Sequence, residues 1–373
     1  MTRTLRTRAV LPDASGLGRA RSVQLTLDHG LIVAIDPLPN GADVDHPHTV
    51  IPGFIDLQTN GIDDLDLWTI VVDDDLDAWS VLESSLLDQG VTTWCPTFIS
   101  APRAQYDQLT AFLDRLEQRP TSTPRPRFAG VHLEGPFLGS AIGAHSPEVI
   151  TIPDLGWLTS IAEALTDRLA LVTMGAESEL AMQACRLLHE RNIRVSLGHT
   201  TPTKEQYTGM CRAGATMVTH LFNGMGGIDH RRSGLASWAL DDDDMWCGLI
   251  ADGVHVDPSW IGTAFRVKPD RLILVTDRVA DRRPDMVNDG RAVRRRDGTL
   301  AGSLLTMSAA LRICTESAGV PVATSVFAAT TNPARAMGWN DRGLLAVGRR
   351  ADLVALDDRL DVVEVWMDGR RVR

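Results

Sequence analysis

Four residues in this chain are of the types that hold a divalent metal or move a proton, and each closes a short apolar run. They are Glu134 in "FAGVHLEG", His199 in "IRVSLGH", His220 in "TMVTHLF" and Asp277 in "RLILVTD". One carboxylate and two imidazoles are a common ligand set for catalytic zinc, with the fourth position left for water. Asp277 would face that water as acid or base. Taken singly, each residue has a plain structural explanation, as a loop carboxylate before Gly-Pro or a hydrogen-bonded core histidine. Their joint occurrence at the ends of successive runs is what points to a metal centre.

The first run of the series raises its own question. "PGFIDLQTNG" (52–61) has the rhythm of a strand ending in metal ligands, yet Gln58 and Asn60 stand where two histidines would be expected. Neutral amides bind zinc poorly beside imidazole, thiolate or carboxylate. The sequence therefore predicts one divalent metal ion per subunit rather than two. Zinc is the default by ligand type, although iron, cobalt or manganese suits the same set.

The elements that must position these residues form a regular series. Eight apolar runs end in polar residues or glycine, starting at Gly53, Val91, Phe128, Leu169, Ile193, Thr216, Trp246 and Arg271. Stretches such as "ELAMQACRLLHERN" and "TKEQYTGMCRAG" lie between most of them, with apolar residues at helical spacing and Asn or Gly at the end. Alternating strands and helices imply parallel βαβ units, and eight of them imply a (β/α)8 TIM-like barrel over residues 52–339. A doubly wound open sheet is the competing architecture, but no Gly-rich phosphate turn follows the first run. Residues 1–51 and 340–373 read as short strands, including an Asp368-Gly369 hairpin signal, and are expected to pair into one small β domain. "NDGRAVRRRDGTL" (288–300) and "DDDD" (241–244) read as a solvated ribbon and a solvated turn.

A net charge of −11 disfavours non-specific nucleic-acid binding, so an anionic substrate would depend on locally placed arginines. The five cysteines are scattered without a Cys-x-x-Cys, which suits buried thiols in a reducing cytosol. No window offers eighteen unbroken apolar residues and the first residues lack a signal-peptide pattern. The expectation is a cytoplasmic protein with neither membrane nor nucleic-acid partner.

The motif series "PGFIDLQTNG", "GVHLEGPF", "GAH", "LGHT", "THLFNGM", "IADGVHV", "VTD", "GTLAGSLLTM" and "TTNPARAMG" resembles the N-acetylglucosamine-6-phosphate deacetylases of the amidohydrolase superfamily over almost the whole chain. Some members also carry Gln-x-Asn on the first strand and use a single metal. The resemblance implies Glu134, His199 and His220 as metal ligands and Asp277 as the catalytic acid and base. It implies that His255 contacts the sugar and helps polarise the acetyl carbonyl, and that His145 is a further substrate contact. Asn223, the Gly224 backbone and Arg231 match positions that hold the 6-phosphate. In relatives the arginine can come from the neighbouring subunit, which implies a homodimer.

Departures from the family pattern cluster around the substrate. Arg278 directly follows Asp277, where it could stabilise that carboxylate, point into the barrel wall or bind an anion. "GIDDLDLW" is acidic where relatives are Gly-rich, and Ser140-Ala141-Ile142 replaces the basic residue usual before "GAH". The alternatives to the leading function are the same design acting on another N-acyl compound, such as the galactosamine epimer, and a sugar-phosphate-binding relative silenced by Arg278.

Overall fold

The computed structural model describes residues 2–12, 18–39, 42–120, 123–282 and 286–373, so part of the segment after Asp277 (283–285) lies outside the described residues. At its centre stand eight parallel strands: β1 (Phe54–Thr59), β2 (Val91–Ile99), β3 (Val131–Glu134), β4 (Leu169–Met174), β5 (Arg194–Leu197), β6 (Ala215–Val218), β7 (Trp246–Leu249) and β8 (Leu272–Leu274). Each overlaps one of the eight apolar runs, and neighbours in sequence are neighbours in the sheet. All six residues of β1 are buried, as a strand covered on both faces requires. The fold is a (β/α)8 TIM-like barrel.

The intervening helices follow the 3.6-residue period. Ala181–Glu190 buries Ala181, Ala184, Cys185 and Leu188 on one stripe. Lys204–Ala213 begins with a capping box between Thr203 and Gln206 and stops at Gly214, whose φ of 114° suits a residue without a Cβ.

The ring closes through side chains and loops rather than a regular ladder between β8 and β1. Asp56, in the middle of β1, accepts from the Gln58 N–H (3.2 Å), the Thr59 hydroxyl (2.7 Å), the Thr276 N–H (3.2 Å) and the Thr276 hydroxyl (2.6 Å). Beyond it, the Asp277 N–H donates to the Gln58 carbonyl (2.8 Å) and the Asn60 N–H to the Arg278 carbonyl (2.7 Å). Burial pushes the Asp56 carboxyl above the usual range, and these donors act in the opposite direction.

Both chain ends build a separate seven-stranded sheet. Thr49–Pro52 lies between Arg3–Leu11, which it parallels, and Leu353–Leu356, which it opposes with Pro52 against Leu353. The sheet buries its own apolar cluster, including Leu25, Leu27, Ile32, Val50, Leu353 and Trp366. Asp368 and Gly369 both have positive φ (49° and 71°), the conformation of a tight hairpin turn.

The ribbon after β8 departs from expectation. Met286–Asn288, Ala292–Arg295 and Leu300–Ser303 form a three-stranded antiparallel sheet. Its basic run masks an inward face: Ala292 and Val293 are buried, and the Arg295 guanidinium donates to the Ala144 carbonyl at 3.0 Å. The ribbon roofs the barrel mouth instead of standing in solvent.

Candidate active site

His199, His220 and Asp277 leave their strand ends with φ of 52°, 33° and 46°. Left-handed backbone is unusual for residues with a Cβ, and it persists where surrounding bonds over-determine it, often at functional sites. Here the Leu221 N–H is held by the Gly248 carbonyl (2.6 Å) and the Asp277 N–H by the Gln58 carbonyl (2.8 Å).

These turns bring three acceptor atoms together. Glu134 Oε1 lies 3.0 Å from His199 Nε2 and 3.1 Å from His220 Nε2, and the two Nε2 atoms are 3.1 Å apart. Each imidazole is oriented from behind, with Nδ1 3.0 Å from the Ala141 carbonyl in His199 and 3.2 Å from the Asn223 carbonyl in His220. A carbonyl can only accept, so each Nδ1 carries a proton, which leaves each Nε2 to offer its lone pair once a cation replaces the proton shared with Glu134. Two lone pairs and a carboxylate oxygen pointing at one another form a site for a cation. A tetrahedral ion with bonds of about 2.0–2.2 Å wants ligand atoms roughly 3.3–3.6 Å apart, slightly wider than observed. The donor set and its spacing fit a divalent metal. His145 also reaches this group: its ligand atom and those of Glu134 and His199 all lie within 4.8 Å of one another. Its Nδ1 is 3.0 Å from the Ser100 hydroxyl, and burial together with the neighbouring His199 pushes its pKa down to about 3.

The first-strand amides sit beside this group. The Gln58 side-chain amide donates to Glu134 Oε2 (3.2 Å) and to Asp277 Oδ1 (3.1 Å), and the Asn60 amide donates to the same Asp277 oxygen (2.8 Å). Gln58 thus bridges two carboxylates that would otherwise face each other as like charges. The amide oxygen of Asn60 is buried with no partner among the described residues, an acceptor left for something in the cavity. Asp277 itself is pushed up to about 7, first by burial and then by the Glu134 charge.

Arg278 does not neutralise Asp277. Its side chain runs outward to Gln89 Oε1 (2.9 Å) and Asp63 Oδ1 (3.1 Å), which removes the stated reason for a silenced site.

The cavity above these groups, about 260 Å³, is lined by Asn60, Glu134, His145, His199, His220, Asn223, Gly224, His255 and Asp277 among others. It therefore gathers most of the residues singled out from sequence, with Gln58 just behind its wall. Arg231 is not among them: it is exposed, between Phe222 and the helix Leu235–Asp241. No arginine or lysine lines the cavity among the described residues. The His255 side chain is buried with Nδ1 2.6 Å from Asp252 Oδ2, while Asp252 Oδ1 accepts from the Val254 and His255 N–H groups (2.8 Å each). Sequence reasoning missed Asp252, although its position three residues before His255 on a tight loop was a usable signal. It also missed the walls made by Leu67, Trp68, Met286 and Leu300, which come from segments remote in sequence. The Trp68 indole N–H donates to the Ile99 carbonyl (2.8 Å), which fixes that wall in place.

Residues 49–372 match the amidohydrolase family. An N-acetylgalactosamine-6-phosphate deacetylase of Escherichia coli O157:H7 is 34% identical, with 99% of each chain covered. An N-acetylglucosamine-6-phosphate deacetylase of Danio rerio is 31% identical over 87% of this chain and 84% of its own. Among solved structures, a mutant N-acetyl-D-glucosamine-6-phosphate deacetylase from Mycobacterium smegmatis, in complex with N-acetyl-D-glucosamine-6-phosphate, superposes with a TM-score of 0.87 at 28% identity, covering 100% of this chain and 99% of that one.

Proposed function

Because the chain belongs to the amidohydrolase family, we propose that it is a metal-dependent deacetylase that hydrolyses N-acetylglucosamine 6-phosphate to glucosamine 6-phosphate and acetate. The observation that carries this reading is the convergence of Glu134 Oε1, His199 Nε2 and His220 Nε2 within 3.1 Å of one another, with Asp277 joined to Glu134 through the Gln58 amide.

In this reading Glu134, His199 and His220 hold one divalent ion, zinc by ligand type. When bound, that ion supplies Lewis-acid polarisation and lowers the pKa of water. Asp277 Oδ1 is oriented by the Gln58 and Asn60 amides. The other Asp277 oxygen takes the proton of the attacking water and returns it to the departing amine. His255, with Nδ1–H committed to Asp252, turns Nε2 toward the acyl group. Asn223 and the Gly224 backbone bind the sugar phosphate. A dianionic phosphate requires a cation, and Arg231 of a second copy supplies it in a homodimer; its exposure on this chain supports that role. The enzyme works in the cytoplasm, a reading its five free thiols support.

The galactosamine epimer is the second reading, favoured by the relative that matches over 99% of both chains. Acetate release from the two 6-phosphates by metal-replete protein, with Asp277→Asn as control, decides between them. Turnover of the gluco substrate that disappears in Asp277→Asn supports the proposal. Faster turnover of the galacto substrate moves the assignment to the epimer, and turnover of neither sinks both.

A further inference from the structure

Glu177 lies four residues beyond Val172–Thr173 in the loop that follows β4, behind the cavity wall rather than in it. Its carboxylate collects five donors from three separate loops. Oε1 accepts from the Ser140 N–H (3.0 Å), the Ser140 hydroxyl (3.0 Å) and the Thr201 N–H (2.8 Å). Oε2 accepts from the Ala176 N–H (3.1 Å) and from the Thr200 hydroxyl. Burial opposes its charge, and these donors outweigh burial, holding the carboxyl below its usual range.

The two loops it ties together are the two halves of one hydrogen bond. Ser140 precedes Ala141, whose carbonyl receives the His199 Nδ1 proton at 3.0 Å; Thr200 and Thr201 follow His199 directly. The Gly139 N–H also donates to the His199 carbonyl (2.9 Å), and a Cβ at Gly139 would lie 2.0 Å from Glu177 Oε2, so the loops meet closely around this carboxylate.

We propose that Glu177 is a positioning residue for the metal site: by clamping the Ser140–Ala141 turn to the His199–Thr201 turn, it holds the His199 Nδ1–H on the Ala141 carbonyl and so aims Nε2 at the site beside Glu134. The inference rests on the reading of His199 as a metal ligand. It also gives Ser140 a use: where the family pattern has a basic residue before "GAH", this chain supplies a hydroxyl and an N–H to one carboxylate. Glu177→Gln keeps the shape but replaces one acceptor oxygen with an amide NH2 that faces backbone N–H donors, so at least one of the five bonds fails and the negative charge is lost.

Two readouts that need no substrate test this. In the zinc-loaded protein, ¹⁵N NMR of the imidazoles is expected to show a sharp, hydrogen-bonded His199 Nδ1–H signal in the wild type and a broadened or lost one in Glu177→Gln. Zinc affinity, measured by chelator competition, is expected to fall about 10–100-fold in Glu177→Gln, the range typical of groups that orient a ligand from behind. Thr200→Val removes one donor to Glu177, together with an acceptor for the Ala176 N–H, and should weaken zinc by several-fold. It serves as the measurement if Glu177→Gln does not fold. An unchanged His199 Nδ1–H signal, or zinc affinity within twofold of wild type in a folded variant, overturns the proposal. Wild-type protein that binds zinc but releases no acetate from either sugar phosphate sinks the proposed function and leaves this inference standing.

Discussion

The metal corner and the roof of the cavity are built on different principles. At the corner, His220 is oriented by a carbonyl only three residues away, Asn223, and each proposed ligand lies at or two residues past the end of its own strand. At the roof, Leu67 and Trp68 open the short helix Leu67–Val72 that follows β1, while Met286 and Leu300 come from the ribbon after β8, and they meet only because the barrel brings them round. The groups proposed to do the chemistry thus sit at strand ends and are oriented by a mixture of near and remote backbone, Asn223 for His220 and Ala141 for His199, whereas the groups that shape the bound molecule come only from segments the barrel brings round. Changes at the corner should therefore act on kcat and metal, and changes at the roof on KM.

The largest break in that pattern is expected from Asp277→Asn. Loss of the proton carrier should lower kcat by about 10²–10⁴-fold, with zinc content unchanged by elemental analysis. Retained turnover would remove Asp277 from the mechanism.

The same residue makes a prediction about stability without metal. Asp277 holds its proton up to about 7 in the fold, whereas an unfolded aspartate releases it near its ordinary value of ~3.9. Between those values the folded state binds more protons, so this contribution favours folding at low pH and is lost as pH rises through 7. Metal-free Asp277→Asn should match wild type near pH 4 in urea unfolding and be more stable above pH 7. The gap should be on the order of a few kcal/mol. Curves that stay parallel across that range would contradict the raised pKa.

Gln58→Leu removes a donor shared by two carboxylates while keeping similar bulk. The metal-free protein should lose about 1.5–3 kcal/mol in urea unfolding. A neutral result would mean the amide bridge is not holding Glu134 and Asp277 together.

The smallest effect belongs to the roof. Leu300→Ala should raise KM a few-fold for the sugar phosphate while kcat and zinc affinity stay near wild type. A fall in kcat of similar size would erase the contrast between corner and roof.

The sequence was most legible where function coincides with a strand end. The eight strands stand out because buried parallel strands need unbroken apolar runs, and Glu134, His199, His220 and Asp277 stand out because polar residues interrupt those runs at the same end. Asp56 was unreadable, since nothing near "FIDLQ" announces that its four donors include Thr276. Glu177 was hidden for the same reason: Ser140 is 37 positions away. The ribbon at 288–300 misled because arginine-rich composition dominates its outward face, while two small buried residues, Ala292 and Val293, decide where it packs.

The pairing of Pro52 with Leu353 also bears on how the chain is made. Thr49–Pro52 emerges from the ribosome early, with one side already matched by Arg3–Leu11 and the other presenting unpaired N–H and C=O groups. Its second neighbour, Leu353–Leu356, is synthesised only after the entire barrel. Until then the nascent protein carries an open sheet edge, which is a template for a wrong strand or a chaperone. A chain stopped short of Leu353 would keep that edge permanently.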